Sequence, residues 1–514
     1  MARNPFAVAS RRQATAWNAS FEGASTSRLF YDWGAAALHP DRELNWALRE
    51  LRARARDLVR NNDYAAGVLE AFADNVIGWQ GIRCKPLVVD PSGRPVREIN
   101  WTIERGWGSW GEPATASADE QESWLERQRL IMRTWVQDGE VFLRHREGWS
   151  NRFGYTTELV DADLLDETFS VPPDQNGIEI RMGVEVDRYG RRLAYHFFKY
   201  HPSEGRGRER VRVPAREIEH YFARYRPGQT RGYSLFAPVL TTWKMVHGLT
   251  EAELVASRMA ASSMGFIQNM SPEAIAAHAE RLRILAQQGK KQEPQKLEMA
   301  PGRIPELLPG QEFQGFDPTH PNTAFEPFLK VMLRGVARAF GISYLTLTGD
   351  VAEANYSSMR AGLIPERDHW KVIQTITAAR IHTPVYRRWL GTSLLAGALD
   401  LPTPVPSDYH AVEWRGRGWK WVDPLDDLNA ALLEVKLGVN SRQRIAAEMG
   451  RDYEAIVDEI REEEDYAEGE GVDVSVRDAQ AAPPRGPEDP QRPRGRTALA
   501  NRVQHALRNG RHHG

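Results

Sequence analysis

Residues 226–234 read RPGQTRGYS. Two glycines and a proline among polar residues mark a loop, and the chain changes character across it. Before it come short runs rich in β-branched and aromatic residues: EVFLRHRE, YTTELVDADLL, IEIRMGVEVD, RLAYHFFKYH and RVRVP. DRYGRR (187–192) joins two of them as a hairpin turn. After it, VLTTWKMVHGLTEAELVASRMAAS follows the helical period. Strands gathered on one side, with helices before and after, predict an α+β fold with a mainly antiparallel sheet.

Outward toward the N-terminus, DRELNWALRELRARARDLV places Leu44, Leu48, Leu51, Ala55 and Leu58 on one helical face. Asp41 is its expected N-cap, and Arg49, Arg52, Arg56 and Arg60 form the opposite face. Residues 1–39 read as a flexible arm. A second helix, DYAAGVLEAFADNVIG, closes at Gly78. In SWLERQRLIMRTWVQDG, Trp124, Gln128, Ile131, Met132 and Trp135 share a face and Gly139 is the stop.

Outward toward the C-terminus, SPEAIAAHAERLRILAQQG opens with Ser271 as cap, Pro272 in the first helical position and Glu273 in the first turn. Residues 290–321 are punctuated by Pro and Gly. AFEPFLKVMLRGVARAF carries a broad apolar stripe from Phe325 and Phe328 through Leu329, Met332, Leu333 and Val336 to Phe340. On another face Glu326, Lys330, Arg334 and Arg338 recur every four residues. The polar stretch GDVAEANYSSMRAGL (349–363) follows, with Asn355 or Ser357 as candidate caps of the next helix. In that long helix, Pro365 is expected near the start and Pro384 at a kink. A stiff LPTPVPSD connector and three short helices complete the ordered chain, and the composition beyond about 467 predicts disorder.

At 514 residues the chain has ample length for a core. No run of about 18 apolar residues predicts a membrane span, and the first residues lack the apolar core of a signal peptide. The single cysteine, Cys84, has no internal disulfide partner, which suits assembly in a cytoplasm. Sixty-seven basic residues balance sixty-nine acidic ones, so general affinity for nucleic acid is excluded and any DNA role rests on local charge.

Phosphate loops, dinucleotide fingerprints, HExxH and GxSxG motifs are absent from the sequence. No catalytic residue, cofactor or metal is expected. DADLLDE (161–167) offers Asp161, Asp163, Asp166 and Glu167. They could hold Mg²⁺ for a nuclease, or be solvated acids at a strand end. Residues 440–465 have helix-turn-helix spacing, but the second helix carries Glu454, Asp458, Glu459, Glu462, Glu463 and Glu464 against Arg461. Phosphate repulsion argues against DNA docking there. The 326–338 stripe reads either as a solvated face with i,i+4 pairs or as a face toward neighbouring copies or DNA. In GDVAEANYSS a catalytic serine has no base in reach other than His369, which falls in a helix.

Taken in order, RPGQTRGYS, NYSSMRAG (355–362), WRGRGWKWVDP (414–424) and the following LGVNSRQRIAAEMGRD resemble the lambda-type portal proteins of tailed bacteriophages, from about residue 20 to about 466. Asp426 and Asp427 depart from the basic residue that family tends to carry. The resemblance implies a portal fold with a β-rich wing, helical stem, small α/β clip and helical crown, forming a ring, typically of twelve copies, at one capsid vertex. Mapped onto this chain, it implies a wing at 40–235 and 357–400, stem helices at 236–264 and 321–341, and a clip at 265–320. It further implies a tunnel loop at 342–356 and a crown at 409–466. Double-stranded DNA would pass non-specifically through the channel, beside Asp350, Glu353, Asn355 and Tyr356. Glu273, Lys290 and Lys291 would contact clip partners. The implied partners are the large terminase subunit, head-tail completion proteins, and the major capsid or scaffold protein. The implied location is the virion, after assembly in the host cytoplasm.

Overall fold

A computed structural model describes residues 32, 34, 36–261, 265–269, 272–288, 311–315, 324–352, 356–403, 405–419 and 424–470. Helix α1 (Pro40–Asn61) buries Leu44, Leu48 and Ala55 as its periodicity requires. It also buries Arg52, at 2% exposure, although the sequence puts it on the arginine face opposite the apolar one. The reason is charge supplied from far along the chain. Arg52 meets Asp163 at 2.6 Å, Glu167 at 3.2 Å and Glu140 at 3.7 Å. One turn on, Arg56 meets Asp138, Asp161 and Asp163 at 2.5, 2.8 and 2.7 Å. Helix α2 (Asp63–Phe72) widens into a π turn, Ala73–Ile77, and stops at Gly78 with φ +75°.

Helix α3 (Arg97–Trp110) was not anticipated. Its buried face of Asn100, Ile103, Trp107 and Trp110 has helical spacing, but two glycines and a non-polar C-terminal turn hide it. Helix α4 (Trp124–Asp138) starts with a reciprocal Ser123–Glu126 capping box and ends at left-handed Gly139.

Strand β1 (Arg83–Pro86) pairs antiparallel with Val412–Arg415, and the strand pairs of the two larger sheets are antiparallel as well. Strands β3, β2 and β8 (Tyr155–Val160, Glu140–Glu147, Ile218–Phe222) form one sheet. Strands β4 to β7 (Glu179–Arg181, Val184–Val186, Arg192–Phe198, Arg210–Pro214) form a second in sequence order. The expected turn sits between β5 and β6. There Asp187 Oδ1 accepts from the Tyr189 and Arg191 amides, and Gly190 takes φ +78°. Phe142, Leu165, Val184, Val186, Tyr195, Phe197, Val213 and Ile218 fill the shared core. β8 (IEHYF) escaped the sequence reading because it follows RVRVP after a three-residue turn and merges with it.

The 226–234 loop closes over this sheet. Asp41 accepts from the Thr230 amide and hydroxyl, both at 2.7 Å. Arg231, fully buried, forms a forked pair with Glu140 (2.5–3.0 Å) and donates to Met182 O. The Gly232 amide and His220 Nε2 also meet Glu140 Oε2, at 3.0 and 3.1 Å. A Cβ on Gly232 would collide with Gly139 O and Phe222 Cβ, so backbone touches backbone here.

Helix α5 (Leu240–Ala261) leaves this loop, and α7 (Phe325–Phe340) returns beside it. Between them lie α6 (Pro272–Gln287) and an antiparallel pair, Gly265–Asn269 with Gln311–Gly315. Helix α9 spans Tyr356–Thr377, so Pro365 lies inside it rather than at its start. A π turn, Ala378–His382, joins α9 to α10 (Thr383–Leu395). Pro384, which lacks an amide hydrogen, is accommodated just past this turn without a break. The sequence has sixteen tryptophans. Seven of them — Trp107, Trp110, Trp124, Trp135, Trp243, Trp370 and Trp389 — are buried within one chain. A second compact unit, 418–514, has three described helices: Pro424–Lys436, Arg442–Glu448 and Tyr453–Glu470. The last of these runs a few residues beyond the expected onset of disorder.

The buried titratable groups set the response to acid. Burial pushes His220 down to about 3 and His382 down to about 4. Burial alone would raise the Glu140 carboxyl, yet Arg231 and the His220 hydrogen bond hold it well below the carboxylate range. Between pH 6.5 and 4 the unfolded chain binds protons that the buried histidines refuse, so stability falls as pH falls. Below about 4.5 the Glu140 contribution is lost in the same direction. Each histidine costs on the order of 2 kcal/mol at pH 5. Thermal unfolding should therefore move to lower temperature steadily from pH 7 to 5. An unchanged midpoint over that range would contradict this account.

Candidate functional site

The stretch expected to be a loop, 342–356, is partly helical. Ser343 accepts from the Thr346 amide and caps α8 (Tyr344–Thr348), which ends at Gly349 with φ +69°. β-branched and aromatic residues in YLTLT masked this helix, which the serine cap and tertiary packing hold. Past α8, residues 350–352 are the described part of that loop. Asp350 is half-buried. Its Oδ1 accepts from the Ala352 amide at 3.0 Å and its Oδ2 lies 3.4 Å from the Tyr344 hydroxyl. Glu353 and Asn355 lie outside the described residues. Tyr356 is the first residue of α9, and Ser357 is already inside that helix rather than capping it.

On α7, Glu326 and Lys330 form an i,i+4 pair at 2.8 Å. Arg334 stands over the Tyr344 ring, 5.5 Å from its centroid, so it links α7 to α8. Arg338 is exposed. Only the C-terminal half of the expected apolar stripe packs inside, through Leu333, Val336, Ala337 and Phe340. Phe328 and Val331 stand 51% and 62% exposed, and on α5 Met245 is 67% exposed. Glu273 is exposed in the first turn of α6. Lys290 and Lys291 lie outside the described residues.

The acidic cluster does assemble: Asp161, Asp163 and His201 bring ligand atoms within 4.8 Å of one another. They are the residues that could hold a metal, but the Arg52 and Arg56 guanidiniums already lie on Asp161 and Asp163. Asp166 accepts from the Thr168 amide and hydroxyl and pairs with Arg210 at 3.1 Å. Burial alone would raise the Asp163 carboxyl, but Arg52 and Arg56 hold it below its ordinary range. The cluster is a set of ion-pair partners. Sequence spacing could not show this, since the arginines come over a hundred residues earlier. The sequence reading also missed Glu366. Only 5% exposed, it accepts from the Ser343 amide at 2.9 Å, the Thr346 hydroxyl at 2.7 Å and Trp370 Nε1 at 3.3 Å.

Comparison with known proteins fits this non-catalytic architecture. The model of the lambda-family phage portal protein matches residues 26–374. The chain belongs to that family. A probable portal protein of Halomonas phage phiHAP-1 is 31% identical over 90% of this chain and 89% of its own length. Portal protein B of Escherichia phage lambda is 22% identical over 80% of this chain and 82% of its own. The portal-family resemblance read from the sequence is thus borne out. Among solved structures, the neck of an empty GTA particle, computed with C6 symmetry, is similar over 79% of this chain and 94% of that one. The identity there is 14% and the TM-score 0.40. Portal proteins are structural, and the expectation that this chain is no enzyme holds with the family.

The ion-pair reading of the acidic cluster has a direct check. Asp163→Asn removes a partner from two arginines, one of them buried. Thermal unfolding should shift by the equivalent of about 2–4 kcal/mol. DNA incubated with Mg²⁺ should remain uncut by either the parent or the variant protein. Unchanged stability, or Mg²⁺-dependent cleavage lost in the variant, would return the cluster to a metal-binding role.

Proposed function

We propose that twelve copies of this chain close into a ring at one capsid vertex of a tailed phage, and that double-stranded DNA enters and leaves through the axial channel. The observation that carries this reading is the pair α5–α7. Among the described residues each helix is packed on one side only, and Met245, Phe328 and Val331 remain exposed on the other. Head-to-tail contact between neighbouring copies would cover such faces and close on itself. In this assignment α5 and α7 are the stem, and 265–320 is the clip that meets the terminase motor and later the head-completion proteins. Residues 40–235 with 357–400 form the wing, and 409–466 the crown. The virion is then the place of work.

The loop between Gly349 and Tyr356 is the part assigned to the channel wall. DNA must slide past it, and each fixed cation there would strengthen binding by releasing counterions. Asp350 and Glu353, repeated round a ring, present like charge to phosphate and keep the duplex from sticking. The stem cations Arg334 and Arg338 belong to the contacts that hold the ring and the loop in place.

Two sets of particles test the assignment. Asp350→Lys with Glu353→Lys should leave ring assembly intact and reduce packaged DNA severalfold, with the defect easing as salt rises. Normal genome content would refute the channel-loop assignment. Arg334→Glu removes the cation over Tyr344, and fewer complete rings should form at equal protein concentration. Rings at the parent yield with normal DNA content would reduce Arg334 to a solvated side chain.

A further inference from the structure

We propose that Glu366 is the positioning residue of the channel loop, holding α8, and through it the loop, in one register against the long helix α9. The inference rests on the assignment of residues 349–355 to the channel, but its geometry stands apart from that assignment.

Helix α8 has five residues, too few to be stable alone. It hangs between two left-handed glycines, Gly341 at φ +73° and Gly349 at φ +69°. Its one buried residue is Leu347. With joints at both ends, a single apolar anchor and the Arg334–Tyr344 contact to α7, α8 takes a further restraint from Glu366. One carboxylate oxygen takes the Ser343 amide, and the other takes both the Thr346 hydroxyl and the Trp370 indole N–H. The Ser343 hydroxyl in turn donates to Thr346 Oγ1 at 3.0 Å, so cap and acid form one relay.

These three donors are uncharged. Burying a carboxylate against such donors costs more than burying an apolar side chain of similar size. What the acid adds is geometry: a single placement of α8 brings Ser343 N and Thr346 Oγ1 onto its two oxygens together. The acid is itself held from behind. Trp370 packs edge-on to Phe72 with centroids 4.7 Å apart, and Phe72 in turn meets Phe340, at 6.5 Å, and Trp135, at 6.1 Å. Pro365 precedes Glu366, so α9 lacks one backbone hydrogen bond at this point.

Hydrogen–deuterium exchange on the full-length protein tests the proposal. Glu366→Gln keeps the side-chain volume but turns an amide NH₂ toward groups that are themselves donors. Amides of 343–350 should then exchange at least about tenfold faster, while those of strands 140–147 and 218–222 keep their parent rates. Thr346→Val, which removes one donor and leaves the acid, should speed the same amides about threefold to tenfold. It decides the matter if the glutamine variant fails to fold. Parent exchange rates at 343–350 in the folded variants would overturn the proposal. So would acceleration spread equally over the wing strands, since that marks a general loss of stability. If local exchange rises while DNA content stays normal, Glu366 still positions the loop and it is the channel assignment that fails.

Discussion

The two larger sheets and the loop that closes over them depend on a carboxylate and a guanidinium with no access to water. Glu140 and Arg231 are each fully buried and meet in a forked pair. Neither charge is tolerable alone: removing one partner of such a pair costs about 3–5 kcal/mol. The remaining Glu140 lone pairs are taken by the Gly232 amide and His220, and Arg231 spends a further donor on Met182 O. The pair therefore fixes three things at once: the start of β2, the course of the 226–234 loop and the approach of β8. Gly139 and Gly232 lack a side chain because the two backbones meet at this point.

From that lock the chain runs straight into helix α5. Phe236, two residues past the loop, packs 4.9 Å from Phe340 and 5.9 Å from Trp243. Phe340 is the last residue of α7 and borders the Gly341 joint. The aromatic cluster continues through Phe72 to Trp370, which holds Glu366. A path of packed rings and buried polar groups thus links the end of the 226–234 loop to Glu366 and α8.

Much of this architecture was legible in the sequence. The Ser123–Glu126 box, Gly139, the Asp187–Gly190 turn and the helical stretches after residue 240 all follow from local chemistry. Helix α3 was legible in its 100, 103, 107, 110 spacing, but its glycines diverted the reading. What was not legible depends on partners distant in sequence. Arg52 looks solvent-facing until Asp163 and Glu167 fold onto it, and the same acids look like a metal site until the arginines arrive. Arg231 reads as a loop cation because nothing local reveals Glu140, ninety-one positions away. Pro365 suggested a helix start because its neighbours could not show that tertiary packing carries α9 through it. Of the candidate channel residues, Asp350 and the start of α9 at Tyr356 are described, whereas Glu353 and Asn355 fall outside the described residues.

Family membership identifies a portal protein, and the uncovered faces of α5 and α7 call for neighbours. The central claim is the closed ring with an open axis. Electron microscopy of the purified protein at physiological salt tests it most directly. Rings of twelve subunits with a central hole wide enough for a DNA duplex are expected. Monomers or open chains that persist as concentration is raised, or rings closed at the axis, would contradict it.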